Sequence, residues 1–370
     1  MSAPRARSMY GEGQVDRLLS ELTAAVGRDN NDDLVRRMIV TALDMDAAEV
    51  DRLELKIASQ SMVEMLNAWR VFSPYRGRAK CTIFGSARTS PDHPDYELAR
   101  SFGAKIAERD WMIISGAGPG IMTACIEGAG VENSFGVNIV LPFEQRASEI
   151  IDRDPKLATF RYFFTRKLFF MKESDGFVLL PGGFGTLDET FELITLIQTG
   201  KAYPAPIVML DHPGSNYWSS LLRFVEEGLL ANGMIGDVDT SLVFHTHDPE
   251  AAADYIADYY SCFHSMRYVG RRLVIRTNTP VSSEALARLN DEFGDIIVDG
   301  AIEPIEVTNA EVETDDHVTL PRIALEFNDR SFARLNQLIM RINELAESKA
   351  RVTTGMFHDL EPENADMLSD

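Results

Sequence analysis

Between Lys80 and Met266 the chain alternates short apolar runs with amphipathic stretches, and this alternation restricts the fold more than any other feature of the sequence. The runs are Cys81–Phe84, Trp111–Ile114, Phe135–Leu141, Gly176–Leu180, Ile207–Leu210 and Leu242–Phe244. They are rich in Val, Ile and Leu on both faces, the pattern of strands covered from above and below. Between them lie helical candidates at Tyr96–Arg109, Ile121–Gly130, Leu187–Thr199, Trp218–Leu230 and Pro249–Cys262. Strand and helix in regular alternation predict an α/β fold, a doubly wound parallel sheet whose right-handed crossovers leave ligand sites at the carboxyl ends of the strands.

The flanks read differently. Apolar residues recur at helical spacing through Val15, Leu18, Leu19 and Leu22, then Leu34, Met38 and Leu43, then Val50 to Trp69, with a break at Gly27–Asn31. Residues 1–78 are therefore expected to be a helical extension that packs on a core or on a second subunit. From Arg267 onward the order is strand, helix, strand, strand, helix, at Arg272–Thr277, Ser282–Asp291, Ile302–Thr308, Ile323–Phe327 and Ser331–Glu347. That order implies a small α+β domain over 267–350, followed by an acidic tail at 351–370. The central domain is then 79–266.

Charge limits the partners. With 36 basic against 57 acidic side chains the formal charge is −21, which gives no general attraction to nucleic acid or anionic lipid. An anionic small molecule needs its own local positive site. Cys81, Cys125 and Cys262 are far apart and form no C-x-x-C pair, which argues against a cysteine zinc site or a disulfide framework and fits a reducing compartment. No leader precedes the first helix and no run reaches membrane-spanning length, so a soluble cytoplasmic protein is expected. His245 and His247 form an H-x-H after the sixth strand, but no third ligand stands at a useful spacing. Neither a metal nor a cofactor is expected.

Three strand ends carry small residues: Phe84-Gly85-Ser86-Ala87-Arg88, then Ser115-Gly116-Ala117-Gly118-Pro119-Gly120, then Leu180-Pro181-Gly182-Gly183-Phe184-Gly185-Thr186. The third follows an apolar strand and opens a helix. Its glycines permit a sharp turn and close approach of a ligand, and the amides of Gly183, Gly185 and Thr186 at a helix N-terminus suit a phosphate. The second is spaced G-x-G-x-G; it is neither the G-x-G-x-x-G dinucleotide fingerprint nor a Walker loop, since no lysine follows it. A mononucleotide-sized cleft fits better. Asp188 and Glu189 lie in the first helical turn after Thr186. A carboxylate beside a phosphate loop repels its ligand unless it faces something cationic, such as the oxocarbenium-like transition state of glycosidic cleavage.

Arg166-Lys167 followed by Pro181-Gly182-Gly183-Phe184-Gly185-Thr186-Leu187-Asp188-Glu189 resembles the signature of the LONELY GUY family, an Arg-Lys pair and then P-G-G-x-G-T-x-x-E. Ser174–Phe177 and Ile194–Gly200 fit the surrounding text, and the resemblance covers roughly residues 80–250. It implies a Rossmann-like nucleoside 5′-monophosphate phosphoribohydrolase, usually dimeric or larger, some members releasing cytokinins from their ribotides and others cleaving AMP-like nucleotides. It further implies that Arg166 and Glu189 are catalytic. Pro181, Gly182, Gly183, Gly185 and Thr186 would hold the phosphate, with Lys167 a phosphate or ribose neighbour. Gly85, Ser86, Gly116, Gly118 and Gly120 would line the cleft. Family members have also carried the label lysine decarboxylase, but no Schiff-base lysine with pyridoxal partners is evident here. Gly85-Ser86-Ala87-Arg88 replaces the commoner small-residue run of the family, which leaves the base open. A regulator or molybdenum-cofactor-carrier-like protein that binds a nucleotide without turnover is the alternative.

Overall fold

The computed structural model describes residues 13–26, 31–141 and 148–347. Two compact units are present, and among the described residues the boundary between them falls between Leu66 and Asn67. The first contains α1 (Gln14–Val26), α2 (Asp32–Ala47) and most of α3 (Arg52–Phe72). Acidic Asp32 and Asp33 open α2, and the Asp51 carboxylate accepts the Leu53 amide at the start of α3, so both helices begin with negative charge at the positive end of the dipole. Most of the expected break at Gly27–Asn31, and all of the tail at 351–370, fall outside the described residues. Among the described residues, no helix is long and apolar enough to cross a membrane.

The second unit is built on a seven-stranded parallel sheet. In chain order its elements are β1 (Lys80–Phe84), α4 (Pro94–Ala107), β2 (Met112–Ser115), α5 (Ile121–Ala129), β3 (Ser134–Ile139), β4 (Leu157–Phe160), α6 (Phe163–Lys172), β5 (Gly176–Leu179), α7 (Phe184–Gln198), β6 (Ile207–Leu210), α8 (Tyr217–Phe224), β7 (Val243–Thr246) and α9 (Pro249–Asp258). The strand order is β4-β3-β2-β1-β5-β6-β7. The chain winds outward from β1 to β4, then returns to place β5 on the other side of β1 and winds outward again. The crevice of such a sheet opens where the two windings part, above the carboxyl ends of β1 and β5.

The six expected strands are all present. β4 and α6 are additions to the sequence reading, and α6 changes the setting of Arg166 and Lys167, which lie on a helix rather than in the approach to β5. Of the phenylalanines on β4 and α6, Phe160, Phe169 and Phe170 are core, while Phe163 and Phe164 are exposed. Phe72, at the end of α3 and within the second unit, stacks on Phe135 at 4.5 Å.

A four-stranded antiparallel sheet follows, made of β8 (Phe263–Val269), β9 (Arg272–Thr277), β10 (Glu303–Pro304) and β11 (Arg322–Leu325), in the order β10-β11-β9-β8. Helices α10 (Ser283–Phe293), α11 (Asn309–Thr314) and α12 (Phe332–Leu345) accompany it. The division expected between 266 and 267 cuts β8, so the second sheet begins a few residues earlier. The strand expected at Ile302–Thr308 shrinks to two residues because Thr308 and Glu311 form a reciprocal cap that starts α11 instead. α12 is bound to the end of the first layer by side-chain amides: Asn343 Oδ1 accepts the amides of Cys262 and Phe263 at 2.9 and 2.8 Å, and the Tyr259 hydroxyl donates to Asn336 at 2.7 Å.

Candidate active site

The three small-residue loops emerge at the carboxyl ends of β1, β2 and β5, and main-chain groups of Ser86 lace them together. Its amide donates to the Pro181 carbonyl at 3.1 Å, and its own carbonyl accepts the Ile121 amide at 3.0 Å. One residue of the first loop thus ties to the third loop and to the helix that follows the second. The close approach explains two glycines. Gly120 has φ of 68°, and a Cβ there would stand 2.4 Å from the Ser86 carbonyl oxygen; at Gly182 a Cβ would meet Thr186 Oγ1 at 2.1 Å.

At Gly183 and Gly185 a Cβ would meet nothing within 4 Å. Their bareness serves no internal packing and leaves main chain open to an approaching molecule. The first backbone bond of α7 runs from the Leu187 amide to the Gly183 carbonyl. The amides of Phe184, Gly185 and Thr186 therefore look outside the helix for partners, at the end where the dipole favours an anion. The Tyr217 hydroxyl steadies this loop by donating to the Gly182 carbonyl at 2.7 Å; this residue lies on α8 after a different strand, and no motif points to it.

Arg166 and Glu189 converge from α6 and α7. The Arg166 Nε donates to the Val137 carbonyl at 2.8 Å, and the guanidinium lies 4.9 Å from the centre of the Phe170 ring. Gly116 belongs to the same arrangement, since a Cβ there would lie 2.6 Å from an Arg166 guanidinium nitrogen and 2.7 Å from Met122 sulfur; a Cβ at Gly118 would press on the Met122 methyl at 2.8 Å. Burial lowers the Arg166 pKa to about 10, against the opposing pull of Glu189, so the side chain still carries its charge at neutral pH. Glu189 is buried at 6 % exposure. Burial raises its carboxyl to about 7, and the opposing influence of Arg166 and Lys167 is too weak to hold it at the ordinary carboxylate value. An arginine neighbour alone suggests an ionised glutamate at neutral pH; desolvation outweighs it.

Lys167 is turned to the side of α7 that bears Asp188 and Glu192, with Nζ at 2.7 and 2.6 Å from their carboxylates. A phosphate would have to compete with both. Ser86 Oγ accepts the Arg88 amide at 3.0 Å and so shapes its own loop. Gly85 lies against Ile121, whose side chain would stand 2.5 Å from a Cβ. His245 and His247 meet a third residue, Asp211, that spacing along the chain does not reveal.

A cytokinin riboside 5′-monophosphate phosphoribohydrolase of Mycobacterium tuberculosis is 34 % identical over 157 residues, covering 42 % of this chain and 81 % of that one. The chain belongs to the LONELY GUY family. Residues 120–256 also match the family model described as "Possible lysine decarboxylase". Two plant members of the LONELY GUY family are covered over less of their length: an Arabidopsis thaliana phosphoribohydrolase of the same name, 32 % identical over 26 % of this chain and 43 % of that one, and a probable one of Oryza sativa, 32 % identical over 42 % and 61 %. Among solved structures, a molybdenum cofactor carrier protein of Chlamydomonas reinhardtii is 19 % identical with a TM-score of 0.33, over 47 % of this chain and 93 % of that one. A molybdenum cofactor binding protein of Rippkaea orientalis is 20 % identical with a TM-score of 0.35, over 49 % and 96 %. Likenesses this loose carry nothing about function.

Proposed function

We propose that this protein hydrolyses the N-glycosidic bond of a nucleoside 5′-monophosphate, giving free base and ribose 5-phosphate. The observation that carries the reading is the meeting of a main-chain anion site at the start of α7 with Glu189 one turn further along the same helix. The phosphate binds at the amides of Gly183, Gly185 and Thr186, and that remote grip fixes the ribose over Glu189. Arg166 supplies the counter-charge and orients the sugar. With its carboxyl near neutrality, Glu189 can take a proton from water or face the developing positive charge at C1′ as the base departs. Pro181 and Gly182 shape the loop, and Gly85, Ser86, Gly116, Gly118 and Gly120 line the cleft beneath the base. Lys167 holds α6 against α7 through Asp188 and Glu192 and touches the ribose phosphate only if those pairs open.

The working form is a homodimer or larger. Beside the phosphate loop, Phe163, Phe164, Leu168, Phe184 and Phe191 expose large apolar surface, Phe184 at 94 %, more than a monomer leaves uncovered without reason. The three cysteines are free and buried, which suits a reducing cytoplasm.

The test is incubation of the purified chain with AMP, GMP, CMP, UMP and isopentenyl-adenosine monophosphate beside a Glu189→Gln variant, reading base and ribose 5-phosphate by chromatography. Release that depends on Glu189 supports the hydrolase and names its base. Nucleotide binding without release from any of them refutes it in favour of a carrier or regulator.

A further inference from the structure

We propose that Asp211, His245 and His247 form a binding site for one divalent ion of the zinc class, separate from the nucleotide cleft. β6 and β7 pair in parallel with Met209 opposite His245 and Leu210 opposite Thr246. Two residues further along each strand brings the side chain back to the same face, so Asp211 and His247 extend the row begun by Met209 and His245. A carboxylate and two imidazoles are thereby gathered at the carboxyl end of neighbouring strands from positions 34 residues apart.

The geometry is that of converging donors. His245 Nε2 lies 2.9 Å and His247 Nδ1 3.0 Å from the same oxygen, Asp211 Oδ1, with the three donor atoms within 4.8 Å of one another. The two rings are 4.9 Å apart and inclined at 78°. Asp211 is fully buried, yet its Oδ2 meets no hydrogen-bond donor among the described residues. Its ion-pair partners there are these two imidazoles, which carry charge only when protonated. A buried carboxylate with an oxygen left over is the kind of group a cation satisfies. Two nitrogens and one carboxylate oxygen match the three-ligand zinc sites that leave a fourth position to water. His247 Nδ1 also donates to the Asp211 carbonyl at 2.8 Å, so metal loading requires that nitrogen to give up its proton, leaving a neutral imidazole protonated at Nε2.

A second cluster nearby, His93, Asp95 and His212, has the same residue types but is already committed. His93 Nδ1 accepts the Asp95 amide as the cap of α4, Asp95 Oδ1 accepts the His212 amide at 3.0 Å, and His212 Nδ1 accepts the Gly214 amide at 3.1 Å. It serves as the control.

The experiment takes the full chain without an affinity tag, strips it with chelator and equilibrates it with zinc alone, reading bound metal by mass spectrometry. Cobalt(II) in place of zinc reports the coordination optically. One equivalent is expected, with the intense visible bands of four-coordinate cobalt. His245→Gln and His247→Ala should each weaken binding by about 10-fold or more, and His93→Ala should leave it unchanged. Melting curves in chelator show that each variant is folded. No bound zinc in the parent chain, an unchanged equivalent in both His245 and His247 variants, or loss in His93→Ala instead would each overturn the proposal.

Discussion

Replacing Glu189 with glutamine should stabilise the protein while destroying its activity, and the size of the effect follows from burial. The carboxyl is raised from an ordinary 4.5 to about 7, with desolvation as the largest cause. At about 1.36 kcal/mol for each tenfold change in proton affinity, ionising this group inside the fold costs about 3 kcal/mol relative to the unfolded chain. Between pH 4.5 and 7 the folded state holds a proton that the unfolded state has released, so this contribution to stability is present below pH 4.5, falls as pH rises, and levels off above 7. Glutamine keeps the volume and cannot ionise. The variant should match the parent near pH 4.5 and exceed it at pH 8 by up to about 3 kcal/mol, a rise in melting temperature of roughly 4–5 °C for a chain of this length. Urea unfolding of both proteins at pH 5 and pH 8, without nucleotide, reads the difference. Equal stability at pH 8, or a gap that does not close on acidification, would refute the reasoning. A gain in stability paired with loss of turnover is the trade expected of a carboxyl kept desolvated for catalysis.

Other outcomes follow from the same geometry. At saturating nucleotide, turnover should climb as pH passes through about 7, where Glu189 becomes a carboxylate; a flat profile between pH 5.5 and 8.5 would show that its ionisation is not needed. Gly183→Ala meets nothing within 4 Å, so it should fold normally and raise KM by about 10-fold or more by crowding the phosphate, measured by steady-state kinetics. Gly200→Ala places a Cβ 2.0 Å from Phe332 at a φ of 70°, far from the cleft, and should lower the melting temperature by several degrees, roughly 1–3 kcal/mol, without changing KM.

The parallel strands were readable because a strand buried on both faces is an unbroken apolar run, and β6 matches its expected span, Ile207–Leu210. β4 escaped notice since it is four residues long at the sheet edge, where Thr159 is exposed and the run is broken. α6 was hidden by its aromatic residues, which favour strand and helix alike too weakly to decide. The glycine loops and the Arg166 and Glu189 pair stood out as motifs. Two properties of the site did not: the ionisation of Glu189 depends on burial, which no local pattern encodes, and Asp211 reaches His245 only through the pairing of β6 with β7. Tyr217 was equally silent, its role arising from a single bond to the Gly182 carbonyl.

The lacing through Ser86 separates what can vary in this cleft from what cannot. Its two stitches use amide and carbonyl, not the hydroxyl, so any residue other than proline can make them. Ala87, Arg88 and Pro119 are exposed and can then be randomised to reshape the proposed base-binding floor without disturbing the proposed phosphate loop, whereas buried Ala117, at a φ of 59°, and Gly118, where a Cβ would press on Met122, must stay. A library of that kind would yield enzymes that differ in the letter they read and share one handle.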